Sequence, residues 1–225
     1  MSKALSEFTP LPPHPGLWSA QRGALRCTAV RLRDGSLCLY SPVLGLGDRA
    51  RNSLDALGKV SVLLAPNHYH NKGLTEYAQV FPDAALICSE RAMPRLEKQT
   101  GLSFASLSNL VPLLPDDCEL VEPDGLKTGE VWLCTIHSNA QVWIVCDAFK
   151  GPDGKPGSTS ENIELLRTFP TYGVKNKAIY STWVKTWLET AKPTLVAPCH
   201  GSLVSGPELA FDIIRLIDEH FGNAV

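Results

Sequence analysis

The segment Val60-Ser61-Val62-Leu63-Leu64-Ala65 constrains this chain more than any other. It is short and apolar, and Pro66 closes it. Such a run, too short for a buried helix, reads as a strand covered on both faces in the middle of a sheet. The residues that follow, Asn67-His68-Tyr69-His70-Asn71-Lys72-Gly73, carry the densest chemical signal in the chain. Two histidines at i and i+2 on a strand-end loop can point to one centre, and neutral imidazole is a common zinc ligand.

Around this run the pattern alternates between strands and helices. Residues 17–42 read as three short strands, the last two (Val30 to Leu32, Leu37 to Tyr40) forming a hairpin at Asp34-Gly35. Helices are expected over 49–58, over Leu74 to Phe81 and from Glu90 to about Gln99, with a strand at Ala84 to Cys88. Residues 101–128 are rich in loop-forming residues. Two apolar strands follow, Val131 to Ile136 and Val142 to Cys146, with His137-Ser138-Asn139-Ala140 as their turn. The stretch 151–160 has loop composition. Ser158 and Glu161 have capping-box spacing ahead of Ile163-Glu164-Leu165-Leu166, which predicts a helix there. Helical periodicity returns at 177–190, a strand at Thr194 to Ala197 and an amphipathic helix at 207–221. Strands in both halves, each set followed by helices, predict two facing sheets with helices outside. The 225 residues read as one domain, with 1–15 as an extended N-terminal arm.

Composition removes several functional classes. The net charge is -2 and Lys and Arg are scattered, so neither nucleic acid nor an anionic membrane surface is expected as a partner. No stretch of about 18 apolar residues exists to span a membrane. The start of the chain, rich in proline and without an apolar core, reads as neither signal nor transit peptide. The seven cysteines include no C-x-x-C pair, and several lie inside apolar runs, as in Leu37-Cys38-Leu39 and Val145-Cys146. Buried free thiols of this kind point to a reducing, cytoplasmic setting. The expected partner is a small-molecule substrate or ligand; the oligomeric state is left open.

Two further landmarks matter. The strand Val142-Trp143-Ile144-Val145-Cys146 ends in Asp147, and the strand Leu195-Val196-Ala197-Pro198-Cys199 ends in His200-Gly201. An apolar strand running into H-x-H, then a strand ending in Asp, then one ending in His-Gly, resembles the metallo-β-lactamase superfamily. The resemblance spans roughly residues 17–215 and is nearest to a degenerate branch with a P-N-x-x-H element. It implies a four-layer αββα sandwich with a site where residues 67–73, Asp147 and His200 meet.

The resemblance also implies a ligand set, and this chain departs from it. In the family motif H-x-H-x-D-H, the Asp position is Lys72 here and the final His position is Gly73. The family's middle histidine lies two strands before the bridging Asp, roughly 20 residues back. His137 is only 10 residues before Asp147, whereas Leu126 is 21 before it and takes the histidine's place. His68, His70, Asp147 and His200 remain. They imply at most one divalent metal (zinc, iron or manganese), and no metal at all is the alternative. Lys72 offers a cation that can pair with Asp147 and substitute for the lost second metal. One reading is a metal-dependent hydrolase of an ester, thioester or phosphodiester, with Asp147, His200 and Lys72 in the chemistry. The other is a binding or regulatory protein that kept the fold and lost the metal.

Weaker signals read as structure. Gly45-Leu46-Gly47-Asp48-Arg49-Ala50 matches G-x-G-x-x-A but lacks a downstream acid for a ribose, so it reads as a turn. Cys199 reads as a core residue, since neighbours on a strand face opposite ways. His14 and His220 read as exposed, and Trp183 and Trp187 as core.

Overall fold

The computed structural model describes residues 4–222. The first half of the chain forms β1 (Thr9–Pro10), β2 (Leu17–Arg22), β3 (Leu25–Arg31), β4 (Leu37–Tyr40), α1 (Asp48–Leu57), β5 (Val60–Ala65), α2 (Leu74–Val80), β6 (Ala85–Cys88), α3 (Met93–Thr100) and β7 (Ala105–Ser106). Its seven strands lie in sequence order in one sheet. Pairing is antiparallel up to β4 and parallel from β4 to β7. The second half forms β8 (Cys118–Val121), β9 (Trp132–His137), β10 (Ala140–Val145), β11 (Thr159–Ser160), α4 (Phe169–Tyr172), α5 (Lys177–Thr190), β12 (Leu195–Pro198), β13 (Leu203–Val204) and α6 (Leu209–Phe221). The second sheet runs β11-β13-β12-β10-β9-β8.

Burial follows the strand period. Alternate residues of β5, Val62 and Leu64, pack with Cys38 and Tyr40 of β4 against Val142, Ile144, Leu195 and Ala197 of the second sheet. The intervening Leu63 packs with Leu54 of α1 and Tyr77 of α2, and Val60 joins the same cluster because the β4–β5 register shifts between Leu37 and Cys38. On the far side, Trp132, Trp143 and Val196 pack under Val184 and Leu188 of α5 and Ile213 and Ile217 of α6. The layers are therefore helix, sheet, sheet, helix. A strand covered on both faces is predominantly apolar, which is why Val60–Ala65, polar only at Ser61, is readable as an interior strand.

Some local expectations change. The Ser158–Glu161 spacing does not start a helix: Thr159 and Ser160 pair in parallel with Leu203 and Val204, and Glu164 bridges to Lys150. Sheet pairing satisfies the backbone that a capping box would otherwise have served. The loop-rich stretch also holds β8, paired antiparallel to β9. The N-terminal arm is extended but anchored: β1 pairs with β2, and Leu5, Phe8 and Leu11 are buried; residues 1–3 lie outside the described residues. His14 is buried, not exposed. Its Nδ1 accepts from Gly16 N at 3.1 Å, and its Nε2 lies 3.3 Å from Asp117 Oδ2. His220 is exposed on α6. Trp183 and Trp187 stack on each other at the edge of the core and are only partly buried. The Gly45-Leu46 turn donates both of its N–H groups to the Glu76 carboxylate, which occupies the donors a phosphate would need.

Candidate metal centre

The three sequence landmarks meet at one edge of the sandwich. β10 and β12 are parallel neighbours, in register at Val145 and Pro198, so Asp147 and His200 leave the second sheet close together. β5 brings His70 from the first sheet. His70 Nε2 and His200 Nε2 lie 3.1 Å and 3.0 Å from the same oxygen, Asp147 Oδ1, and 3.2 Å from each other. All three side chains are largely buried, at 11%, 21% and 4% exposure for His70, His200 and Asp147.

That triangle fits a metal. Tetrahedral ligands at about 2.0–2.1 Å from zinc are about 3.3 Å from one another, close to the spacing observed. The donors are two imidazole nitrogens and one carboxylate oxygen, a set suited to zinc, iron or manganese. Without an ion the three groups hold one another by charge. Burial opposes ionisation of both His70 and Asp147, yet the His70–Asp147 attraction prevails. It raises His70 well above its ordinary value and, with His200, holds the Asp147 carboxyl well below the usual carboxylate range.

His68 is turned away from this triangle. Its Nε2 lies 3.3 Å from Arg95 Nη1, and its ring packs edge-on against Tyr69. Burial, and then the Arg95 charge, lower its pKa. The cause is Asn67. Its Oδ1 accepts from Tyr69 N at 2.8 Å and His70 N at 3.1 Å, coiling the chain immediately after β5. Residues i and i+2 share a direction only in extended chain; in this turn they diverge, and His70 alone reaches Asp147. The same Asn67 donates through Nδ2 to Asp147 Oδ2 at 2.8 Å and Cys146 Sγ at 3.2 Å.

Lys72 does not pair with Asp147. It is exposed and makes no ion pair among the described residues, while the carboxylate is already engaged by Asn67, His70 and His200. Gly73, in the position of the family's last motif histidine, is wedged against the first sheet: a Cβ there would lie 2.3 Å from Pro42 O and 2.9 Å from Leu44 N. Leu126 belongs to the core with Phe169 and Val174 and does not line the site. His137 ends β9 and packs on His14, with their ring centroids 5.3 Å apart. Lys72, Gly73 and Leu126 therefore supply no ligand at the positions where the resemblance implies one.

Four supporting residues went unnoticed in the sequence. Ser41 has φ of 58°, a left-handed conformation that costs energy for a residue with a Cβ. It holds its Oγ 2.7 Å from His70 Nδ1. When Oγ accepts from Nδ1–H, the Nε2 lone pair faces the centre. Glu130 is fully buried and accepts from Trp132 Nε1 and from the N–H groups of Cys146, Asp147 and Ala148, at 2.9–3.2 Å. It thereby shapes the strand end that presents Asp147. Burial and the Asp147 charge push its carboxyl up to about 8, against the pull of those donors. Arg26, 1% exposed, donates to Pro198 O, Ser19 Oγ and Gly201 O and fastens the His200 loop to the first sheet. Tyr172 lines the site and packs on Tyr69. Only Glu130 had a readable signal: an acid directly before the apolar strand Val131-Trp132-Leu133.

A cavity of about 680 Å³ opens over the triangle, with walls including Leu25, Leu44, Leu166 and Tyr172. A wider recess of about 900 Å³ shares no lining residue with it and contains none of the three ligands. Cys199 lies in the inter-sheet core behind His200.

Two facing sheets clad in helices, with a histidine and carboxylate cluster at their shared edge, define an αββα sandwich with a candidate metal site. The chain has the metallo-β-lactamase fold. It is similar to a metallo-β-lactamase from Pseudomonas aeruginosa solved in the mono-zinc form, with a TM-score of 0.66, 12% identity and 96% of each chain covered. It is also similar to a metallo-β-lactamase from Pontibacter korlensis, with a TM-score of 0.63 and 13% identity, covering 94% of this chain and 98% of that one. A third, from Hirschia baltica, gives 0.62 and 10%, covering 96% and 98%. No family model and no curated protein sequence matches.

Proposed function

We propose that the protein is a metal-dependent hydrolase that holds one divalent ion (zinc, iron or manganese) on His70, Asp147 and His200. The observation that carries this reading is the triangle of ligand atoms 3.0–3.2 Å apart, open on the side of the cavity. Three protein ligands with a free position are the pattern of a catalytic rather than a structural site. The ion would supply a Lewis acid and an acidified water able to attack an ester, thioester or phosphodiester.

The chain's own residues prepare that chemistry. Asn67 orients Asp147 and coils the His70 loop, Ser41 sets the His70 ring, and Glu130 holds the Asp147 strand end. Among the described residues, the seven cysteines are free and no helix is long and apolar enough to cross a membrane. A small-molecule substrate in a reducing, cytoplasmic setting is part of this proposal.

A second reading has its own support: Leu126 in the core and Gly73 against Pro42 remove family ligands, as expected of a binding protein that lost its chemistry. Elemental analysis of protein purified without a histidine tag separates the two. About one equivalent of metal, with p-nitrophenyl ester hydrolysis lost on chelation, supports the hydrolase. Metal-free protein that takes up no added zinc, iron or manganese supports the binding protein.

A further inference from the structure

We propose that the cavity receives an amphiphilic anion, whose charged end is bound by Arg22 and Lys72 and whose apolar body lies against Leu25, Leu44 and Tyr69. This deepens the hydrolase reading by naming the substrate class of the same site.

Charge is the first argument. The chain carries -2 overall, yet outside the mutually paired His70, Asp147 and His200 the cavity lining has two cations, Arg22 and Lys72, and no acid. Asp147 is spent on Asn67 and the two histidines. Neither cation makes an ion pair among the described residues. Arg22 Nη1 donates to Leu44 O at 2.8 Å, which ties the guanidinium to the rim and leaves Nε and Nη2 without a protein partner among those residues. Lys72 precedes Gly73, whose backbone packs on Pro42 and Leu44. Both cations therefore flank one rim segment, opposite in sign to an incoming carboxylate or phosphate.

Surface chemistry is the second argument. Among the described residues eight large hydrophobic side chains stand exposed, and three of them, Leu25, Leu44 and Tyr69, line this cavity. Exposed apolar surface gathered at a concave site marks a binding surface. A cavity of about 680 Å³ suits a small organic molecule. Cations at the rim and apolar walls select together for a molecule with one charged end.

The test is calorimetric titration of metal-stripped protein with octanoate, octanamide and acetate. Octanoate is expected to bind, with octanamide and acetate each about tenfold weaker. Arg22→Gln and Lys72→Gln are each expected to weaken octanoate about three- to tenfold without changing octanamide, and Arg22→Lys to retain most of the affinity. Failure of octanoate to bind, octanamide or acetate binding as well as octanoate, or glutamine variants that leave octanoate unchanged would each overturn the proposal. The measurement needs neither metal nor turnover, so loss of the hydrolase reading would leave its outcome intact.

Discussion

Asn67 Nδ2 and Asp147 Oδ2 are 2.8 Å apart, and this bond joins the loop after the central strand of one sheet to the strand end of the other. The two residues are 80 positions apart in sequence, and both are buried. Asn67→Ala would leave Asp147 Oδ2 without that donor and release the turn that aims His70. A loss of about 10- to 100-fold in metal affinity is expected, as for other groups that orient a ligand, with about 1–3 kcal/mol of stability. Chelator competition and urea unfolding check both. Unchanged metal affinity would remove Asn67 from the site.

The ligand set makes a sharp comparison possible. His70→Ala, Asp147→Asn and His200→Ala are each expected to drop bound metal below stoichiometry. His68→Ala, which removes a ring held by Arg95, is expected to retain it. Elemental analysis of the four untagged variants decides. Metal loss in His68→Ala comparable to that in His70→Ala would restore the paired-histidine arrangement.

Introducing at positions 72 and 73 the residues that the resemblance implies for a second ion is expected to fail. In Lys72→Asp with Gly73→His, the new Cβ meets Pro42 O at 2.3 Å, so backbone must move before any imidazole can bind. Gly73→Ala alone is expected to cost about 1–3 kcal/mol by overpacking. Thermal unfolding and metal counts test this: a stable double variant with two ions would show that the first sheet can open there.

Glu130 accepts four hydrogen bonds and has no cation beside it. Glu130→Gln can keep an oxygen for the three donors that share Oε1 but turns an amide NH₂ toward Asp147 N; it should cost about 1–3 kcal/mol for that stranded donor, and should also weaken metal binding. Unchanged urea unfolding would show that the Asp147 N–H finds another acceptor.

The remaining prediction concerns pH. Burial lowers the His14 pKa, opposed by Asp117, with His137 and Cys118 also nearby. A histidine whose folded pKa lies below its unfolded value of about 6.5 takes up a proton more readily when unfolded. Its contribution to stability is therefore complete above that pH and is lost as pH falls below it. His14→Gln should flatten the fall in urea-unfolding free energy between about pH 7 and pH 5, relative to the parent protein. Parallel curves would refute a role for His14.

Much of this molecule was legible in one dimension. Val142–Cys146 and Leu195–Ala197 are continuous apolar runs and Val60–Ala65 is broken only by Ser61, whose hydroxyl meets that of Ser36, because a strand packed on both faces leaves little room for polar side chains. Each is followed by polar residues at the end of its strand, and that punctuation pointed to His68, His70, Asp147 and His200 as one group, of which the last three come together. Other features depended on contacts between distant residues. His68 shares the spacing of a ligand but is lost to one, because Asn67 coils the chain and its other end is held by Asp147. Lys72 makes no ion pair among the described residues, and Asp147 is engaged by Asn67, His70 and His200 instead; Ser158–Glu161 became a strand edge because Leu203 and Val204 lay open for pairing. Local pattern determined where the strands run and which residues sit at their ends. The direction each end residue faces was decided by hydrogen bonds made across the sandwich, whose energies exceed the small preferences of a short polar loop.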